Sequence, residues 1–394
     1  YVPGKPIEEA QRQLGLREVV KLASNENPLG PSPLAIKAIR EAAARIHRYP
    51  DSHGHDLRQA LAGRLGFPTE QIVLGNGSTE IVEILAKAFL SRDRGAVVAD
   101  QSFIMYPIAV RTMGAPLTLV PLKDYRHDLE AMAAACDDQT ALVYIDNPNN
   151  PTGTCVGRGE FEAYFRRVPG HVLTVIDEAY RDYVEAADYP DGLDDVRQGR
   201  GVVLLRTFSK ILGLAGMRIG YAVTVKEVAL ALEAVRSPFN TSVLAQAAAL
   251  AALEDDAHVR RSREENGREA RFLAAEMARR GTRFVPSVAN FFLVFTPLRG
   301  EETYQALLRE GVIVRPMEAY GFSHAVRVSV GTRKEIARFL EVWDRVVSGA
   351  QGRGRRIPRC WRRRNGRSPA APTPWRAASG RTAPPTGGSG SGPS

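Results

Sequence analysis

Between residues 70 and 225, short and continuously apolar runs alternate with stretches of helical periodicity. The apolar runs fall at 72–74, 96–98, 117–120, 141–145, 173–176 and 202–205, with helical windows at 79–90, 106–113 and 161–168 between them. Strands that are apolar on both faces and separated by helices predict a parallel sheet covered on both sides. In such sheets ligands gather at the carboxyl ends of the strands. Residues 226–280 read as helical, rich in Ala, Glu and Arg, with no glycine from Tyr221 to Asn266. Past Gly281 the pattern changes, with strands at 290–295 and 325–330 and helices at 302–310 and 333–347. The expectation is an α/β chain with a mostly parallel central sheet flanked by helices, plus a smaller α+β domain. Its parts are an N-terminal arm over 1–45 joining the small domain, a large domain over 46–280, a C-terminal small domain over 281–348 and a disordered basic tail over 349–394. No internal repeat is evident.

A length of 394 residues suits two domains, because single cores stop growing at about 250–300 residues. The net charge of +9 points at first to nucleic acid, but it is concentrated at one end. Residues 349–394 hold ten of the 53 basic residues and none of the 44 acidic ones, which leaves 43 against 44 in the rest. The folded part is therefore near neutral, and no nucleic-acid partner is expected for it. The tail is rich in Gly, Pro and Ser, and isolated apolar residues such as Ile357, Trp361 and Trp375 cannot build a core. It reads as a non-functional extension rather than a nucleic-acid-binding arm. Cys136, Cys155 and Cys360 make neither a disulfide framework nor a metal spacing, so a reducing compartment, the cytoplasm, is expected. No apolar run is long enough to cross a membrane. A start at Tyr1 without methionine leads us to expect a native N-terminus upstream.

Four segments carry chemistry. The first, Thr207-Phe208-Ser209-Lys210 followed by Gly213, Gly216 and Arg218, comes straight after an apolar strand. A lysine there reads on its own as a surface residue, but flanking glycines, a hydroxyl and a returning arginine suit an amine that forms an imine beside a phosphate arm. The second, Gly75-Asn76-Gly77-Ser78-Thr79-Glu80, opens a helix, and its free N–H groups and hydroxyls make either an anion site or an ordinary capped N-terminus. The third, Asn147-Pro148-Asn149-Asn150-Pro151-Thr152-Gly153, is a turn that aims amide side chains at the sheet's carboxyl end. In the fourth, Ile176-Asp177-Glu178-Ala179-Tyr180, a strand-terminal carboxylate can face a protonated heterocyclic nitrogen, or simply cap a helix.

In this order and spacing the segments resemble fold-type-I pyridoxal-phosphate-dependent aminotransferases. More narrowly the chain is similar to histidinol-phosphate aminotransferases, through Leu22–Gly30, Arg48-Tyr49-Pro50-Asp51, Val314-Arg315-Pro316-Met317 and residues 326–332. The resemblance covers residues 1 to about 347. It implies pyridoxal 5'-phosphate as cofactor, an amino donor and a 2-oxo acid as substrates, and a homodimer. It implies that Lys210 holds the cofactor aldehyde and later moves the substrate proton. Asp177 keeps the pyridine nitrogen protonated, Tyr180 and Asn150 bond the ring oxygen, and Phe103 stacks on the ring. Gly77, Ser78, Thr79, Ser209 and Arg218 hold the phosphate, with Tyr49 reaching it from the partner subunit. Arg327 and Arg315 read the substrate's anionic groups, with Asn25 and Tyr1 closing over the top. Two arginines suit a phosphate monoester as well as the two carboxylates of glutamate.

Gln101-Ser102 stands where many relatives have Pro-Thr, and no loss of chemistry is expected from it. His53 and His55 read as loop residues. The reaction expected is histidinol-phosphate:2-oxoglutarate transamination in histidine biosynthesis. Alternatives are an aromatic amino-acid aminotransferase or a threonine-phosphate decarboxylase, and, from another class, a nucleic-acid-associated protein acting through the tail.

Overall fold

The structure is a computed structural model and describes residues 4–352. Tyr1 and the tail from 353 onward, with the disorder and nucleic-acid readings attached to it, lie outside the described residues.

Seven strands form the main sheet: β1 (Ile72–Gly75), β2 (Gly95–Ala99), β3 (Leu117–Val120), β4 (Thr140–Asp146), β5 (Leu173–Asp177), β6 (Val202–Thr207) and β7 (Gly220–Thr224). Their order is β1-β7-β6-β5-β4-β2-β3. All neighbours are parallel except β7, which runs antiparallel to both β1 and β6. The six apolar runs of the sequence are therefore all strands, and β7 is the one the pattern conceals. It follows β6 through a loop that holds only a single 3-10 turn, Ala215–Met217, and no α-helix, so the strand–helix alternation gives no sign of it.

Side chains alternate across this sheet. Ile72, Leu74, Val143, Ile145, Ile176 and Leu204 enter one apolar layer, while Val73, Leu142, Tyr144, Val175, Leu205 and Ala222 enter the other. Both layers are closed by helices, which is why the central strands need apolar residues on both faces. The 226–280 region resolves into helices Lys226–Val235, Val243–Leu253 and Asp256–Arg279. Ser242 and Asp255 cap the last two by accepting from the backbone N–H groups of Ala245 and His258.

A second sheet places Ala325–Ser329 between Arg315–Pro316 and Phe291–Phe295, antiparallel to both. Helix Arg333–Gly352 covers it, and Leu22 of the N-terminal segment joins the same apolar cluster. Val20–Lys21 pairs parallel with Val312–Ile313 in a separate two-stranded sheet, and the Ser329 N–H donates to the Leu22 carbonyl at 2.9 Å, which ties that segment to the smaller sheet. The last helix runs four residues into the stretch expected to be disordered, because extending a formed helix adds one hydrogen bond per residue without a new nucleus.

Leu204 is fully buried in the middle of β6, between the parallel β5 and the antiparallel β7 in the sheet's core. Leu204→Ala should lower unfolding free energy by about 2–5 kcal/mol in urea denaturation; a loss below ~1 kcal/mol would contradict this packing.

Candidate active site

Three strands end at one place. β4 stops at Asp146, β5 at Asp177 and β6 at Thr207, and the antiparallel β7 begins beside them with Gly220 paired to both Thr207 and Gly75. A cavity of about 260 Å³ opens over these ends, bounded on the far side by the N-terminal segment and the smaller sheet.

Lys210 enters the cavity from the loop between β6 and β7. Its Nζ donates to the carbonyl of Ser24 at 3.3 Å and lies 5.3 Å from the centre of the Tyr180 ring. Burial, with Arg327 and Arg218 nearby, lowers its pKa to about 8. About a tenth of this amine is therefore a neutral nucleophile at pH 7, against well under a hundredth at its ordinary value of 10.5. Asp177 is only 4% exposed. One of its oxygens accepts from the Ala179 N–H at 3.0 Å and the other from the Tyr106 hydroxyl at 3.0 Å. Burial first, then the charge of Asp146, pushes its carboxyl up to about 7. Tyr180 stands edge-on to Phe291, and its hydroxyl, pushed up to about 12 by burial, accepts from Asn25 Nδ2 at 2.9 Å.

The cavity has a cationic end on each side. At one, Ser78 starts helix Ser78–Phe89 with first-turn N–H groups unsatisfied within the helix. Arg218, at φ 55°, donates to Ser209 Oγ at 3.3 Å. Space here is tight. A Cβ on Gly77 would stand 2.6 Å from Arg218 Nη2, and one on Gly220 would stand 2.7 Å from the Ser78 nitrogen. Glu80 accepts from the N–H of Asn76 at 2.6 Å, so it fastens the loop and leaves the helix's leading N–H groups alone. At the other end Arg327, 7% exposed, donates to Asn150 Oδ1 and, at 2.8 Å, to the carbonyl of Ala23. Its Nε is buried without a hydrogen-bond partner. Arg315 is its cross-strand neighbour and also lines the cavity.

Asn25 holds the N-terminal segment over this end. It takes a left-handed conformation at φ 56°, which asparagine tolerates better than most residues. Its backbone N–H donates to Ser329 Oγ at 2.9 Å, and its carbonyl accepts from Asn290 at 3.0 Å. Phe103 and Thr79 complete the wall.

Of the residues singled out in the sequence, Asn25, Ser78, Thr79, Phe103, Asn150, Asp177, Tyr180, Ser209, Lys210, Arg218, Arg315 and Arg327 all face this cavity, with Gly77 immediately beneath Arg218. Tyr49 does not. It is 81% exposed and stacks on Phe239 at 4.6 Å, away from the cavity of its own chain. Tyr106, Asp146, Glu26 and Tyr320 also line the cavity and went unnoticed in the sequence. Asp146 ends a strand as Asp177 does, a signal available but masked by the turn that follows. Tyr106 sits one helical turn after Phe103, within a window that reads as plain amphipathic helix.

An amine with a lowered pKa, a buried carboxyl and two separated cationic ends are suited to amino-group chemistry on a molecule that carries anionic groups. The chain belongs to the class I and II aminotransferases, whose family model matches residues 17–342. It is 48% identical over 349 residues to the histidinol-phosphate aminotransferase of Moorella thermoacetica, covering 88% of this chain and 90% of that protein. It is equally similar, 48%, to histidinol-phosphate aminotransferase 1 of Nitrosococcus oceani, over 88% of this chain and 94% of that one. Among solved structures, the histidinol-phosphate aminotransferase of Sinorhizobium meliloti in complex with pyridoxal-5'-phosphate matches with a TM-score of 0.82 at 28% identity, covering 89% of this chain and 96% of that chain. An aspartate aminotransferase double mutant of Thermus thermophilus matches with a TM-score of 0.78 at 26% identity, covering 88% and 97%.

Because the folded pKa of Asp177 is raised from 3.8 to about 7, the folded state keeps a proton that the unfolded chain releases between these values. Stability of the ligand-free protein therefore falls as pH rises from about 4 to about 7. Asp177→Asn should remove the Asp177 share of this slope, leaving the smaller part that Asp195, raised to about 6, contributes, and stabilise the ligand-free protein at pH 8 by on the order of 2–4 kcal/mol. Urea denaturation at pH 4.5 and 8 reads the difference; an unchanged slope would show that Asp177 is ionised throughout.

Proposed function

We propose that this chain is a pyridoxal-phosphate-dependent aminotransferase acting between histidinol phosphate and 2-oxoglutarate, in histidine biosynthesis. The observation that carries the reading is the placement of Lys210 between two cationic ends, one built on Arg218 and the other on Arg327. The residues present suit the cofactor. Gly77 and Gly220 leave room that any Cβ would fill, Arg218 and the Ser78 helix start offer donors to a phosphate, and Asp177 offers a buried oxygen to a ring nitrogen. The spare, buried Nε of Arg327 and the nearby Arg315 offer donors to the substrate's anionic group.

When bound, pyridoxal phosphate supplies a ring that withdraws electrons from the substrate carbon. The chain's own residues do the rest. Lys210 Nζ would hold the cofactor through its aldehyde carbon and would carry the proton to and from the substrate carbon. Its lowered pKa makes it a competent base near neutral pH. Asp177 would hold the proton of the ring nitrogen, and a cation at that position would draw its carboxyl back toward the ionised form. Tyr180, held by Asn25, and Asn150, held by Arg327, present their polar groups to the ring oxygen. Phe103 covers the ring's face, and Arg327 with Arg315 fixes the substrate's far end.

The homodimer belongs to the same proposal. Tyr49 and Phe239 form an exposed aromatic stack on the chain's surface, with Ile46 (65% exposed) close by in sequence. A second copy would cover this patch and receive Tyr49 at its phosphate end. In the same reading residues 46–280 carry the cofactor, 281–348 with the N-terminal arm carry the substrate's far end, and the enzyme works in the cytoplasm.

Absorbance of the purified protein with added pyridoxal phosphate should show a visible band that disappears in Lys210→Ala. Mixing the loaded enzyme with histidinol phosphate, tyrosine, phenylalanine or glutamate should convert the band fastest with histidinol phosphate. Fastest conversion by tyrosine or phenylalanine would make it an aromatic aminotransferase, and carbon dioxide from phosphothreonine a decarboxylase. Arg327→Met should reduce kcat/KM for histidinol phosphate by about 30–150-fold, as loss of a charged hydrogen-bond partner does. Light scattering should give the mass of a dimer, and a monomer would remove Tyr49 from the phosphate site.

A further inference from the structure

A second buried carboxylate stands beside Asp177 on the neighbouring strand. Asp146 ends β4 in register with Asp177 at the end of β5, and both are almost fully enclosed. Both oxygens of Asp146 are engaged. Oδ2 accepts from the backbone N–H of Asn150 at 2.7 Å, and Oδ1 lies 2.9 Å from Nε2 of His127. The same nitrogen approaches the Asp146 carbonyl at 3.0 Å. Two oxygens at one ring nitrogen place the hydrogen on Nε2. The other ring nitrogen, Nδ1, is buried with no hydrogen-bond partner. The two side chains are 1% and 4% exposed, and an apolar pair would fill such a space at less electrostatic cost.

His127 comes from the loop ahead of helix Leu129–Ala134 and does not reach the cavity, whereas Asp146 does. What Asp146 holds in place is the backbone of Asn150, and Asn150 Oδ1 in turn receives Arg327. We infer that His127 and Asp146 form a positioning pair: Asp146 sets the Asn150–Arg327 contact, and His127 occupies the remaining carboxylate oxygen so that the charge is not left unpaired beside Asp177. This rests on the aminotransferase reading, in which Asp177 serves the ring nitrogen and Arg327 the substrate. The groups facing Asp177 are Asp146 from β4, Tyr106 from helix Met105–Thr112 and Lys210 from the loop after β6. Only Asp146 among them carries a like charge, and among the causes that raise the Asp177 carboxyl it is second to burial.

Four variants of the full chain test the pair: His127→Leu, His127→Gln, Asp146→Asn and the double variant H127L/D146N. Four quantities are read, namely the dissociation constant for pyridoxal phosphate by absorbance titration, the melting temperature, and KM and kcat for the amino donor separately. His127→Leu leaves a buried carboxylate oxygen without a donor. It should weaken cofactor binding and raise donor KM by about tenfold or more, with a smaller change in kcat. His127→Gln, which restores an N–H donor, should recover most of both. Removing His127 when residue 146 is already asparagine should matter about threefold or less, because no charge remains to be held. If His127→Leu binds cofactor and donor like the natural chain, or the double variant shows the full product of the single effects, the pair has no such role. Should His127→Leu not fold, recovery of folding in H127L/D146N supports the pair and failure to recover overturns it. If the natural chain itself binds no pyridoxal phosphate, the aminotransferase reading fails instead.

Discussion

Lys210 must be kept out of water without being neutralised by a direct salt bridge, and much of the structure answers to that constraint. An amine taken from water gives up hydration that a single backbone carbonyl replaces only in part. The fold meets the condition by surrounding it with groups that leave its lone pair available: the Ser24 carbonyl, the Tyr180 ring and two guanidinium groups that make a second positive charge unwelcome. An aspartate placed as an ion-pair partner would reverse the effect and hold the amine protonated. The acids that line the cavity are engaged elsewhere: Asp177 with Tyr106 and a backbone N–H, Asp146 with His127 and the Asn150 N–H, and Glu26 with Lys21.

That arrangement needs contributions from three distant parts of the chain. Asn25, next to the Ser24 that meets the amine, is fixed by Ser329 across a separation of 304 residues. Asn150 arrives from the end of a central strand and meets Arg327 across a separation of 177 residues. These contacts are long-range in sequence, so their geometry exists only once both sheets have formed. Local propensity supplies the turns and strand ends on which they hang, and tertiary closure supplies the chemistry.

Much of this was legible in the amino-acid pattern. Strands β1 to β6 stand out because burial on both faces demands uninterrupted apolar residues, and Lys210, Asp177 and Asn150 are marked by turn and strand-end chemistry around them. β7 was not legible, since a short strand that returns directly from its neighbour breaks no alternation. Tyr106 and Asp146 were hidden for a different reason. Their neighbours satisfy a simpler pattern, an amphipathic helix in one case and a strand-end turn in the other. Only the register of β4 against β5 shows that Asp146 shares a wall with Asp177. The exposure of Tyr49 is likewise a property of the folded surface, which no count of residues discloses.

The unannounced strand β7 also determines how the site can vary. Lys210 and Arg218 sit on one loop whose two ends, Thr207 and Gly220, are paired with each other in the main sheet. The loop is thus a clasp shut at its base, and the reach from amine to guanidinium is metered by the sheet rather than by the loop's own stiffness. Substitutions within the clasp change what it touches while preserving its span. An inserted or deleted residue in either flanking strand would slip the register and turn alternate side chains to the opposite face. Descent within such a scaffold should therefore proceed by exchange of residues at constant length here, with changes in chain length confined to segments whose ends are not tied together.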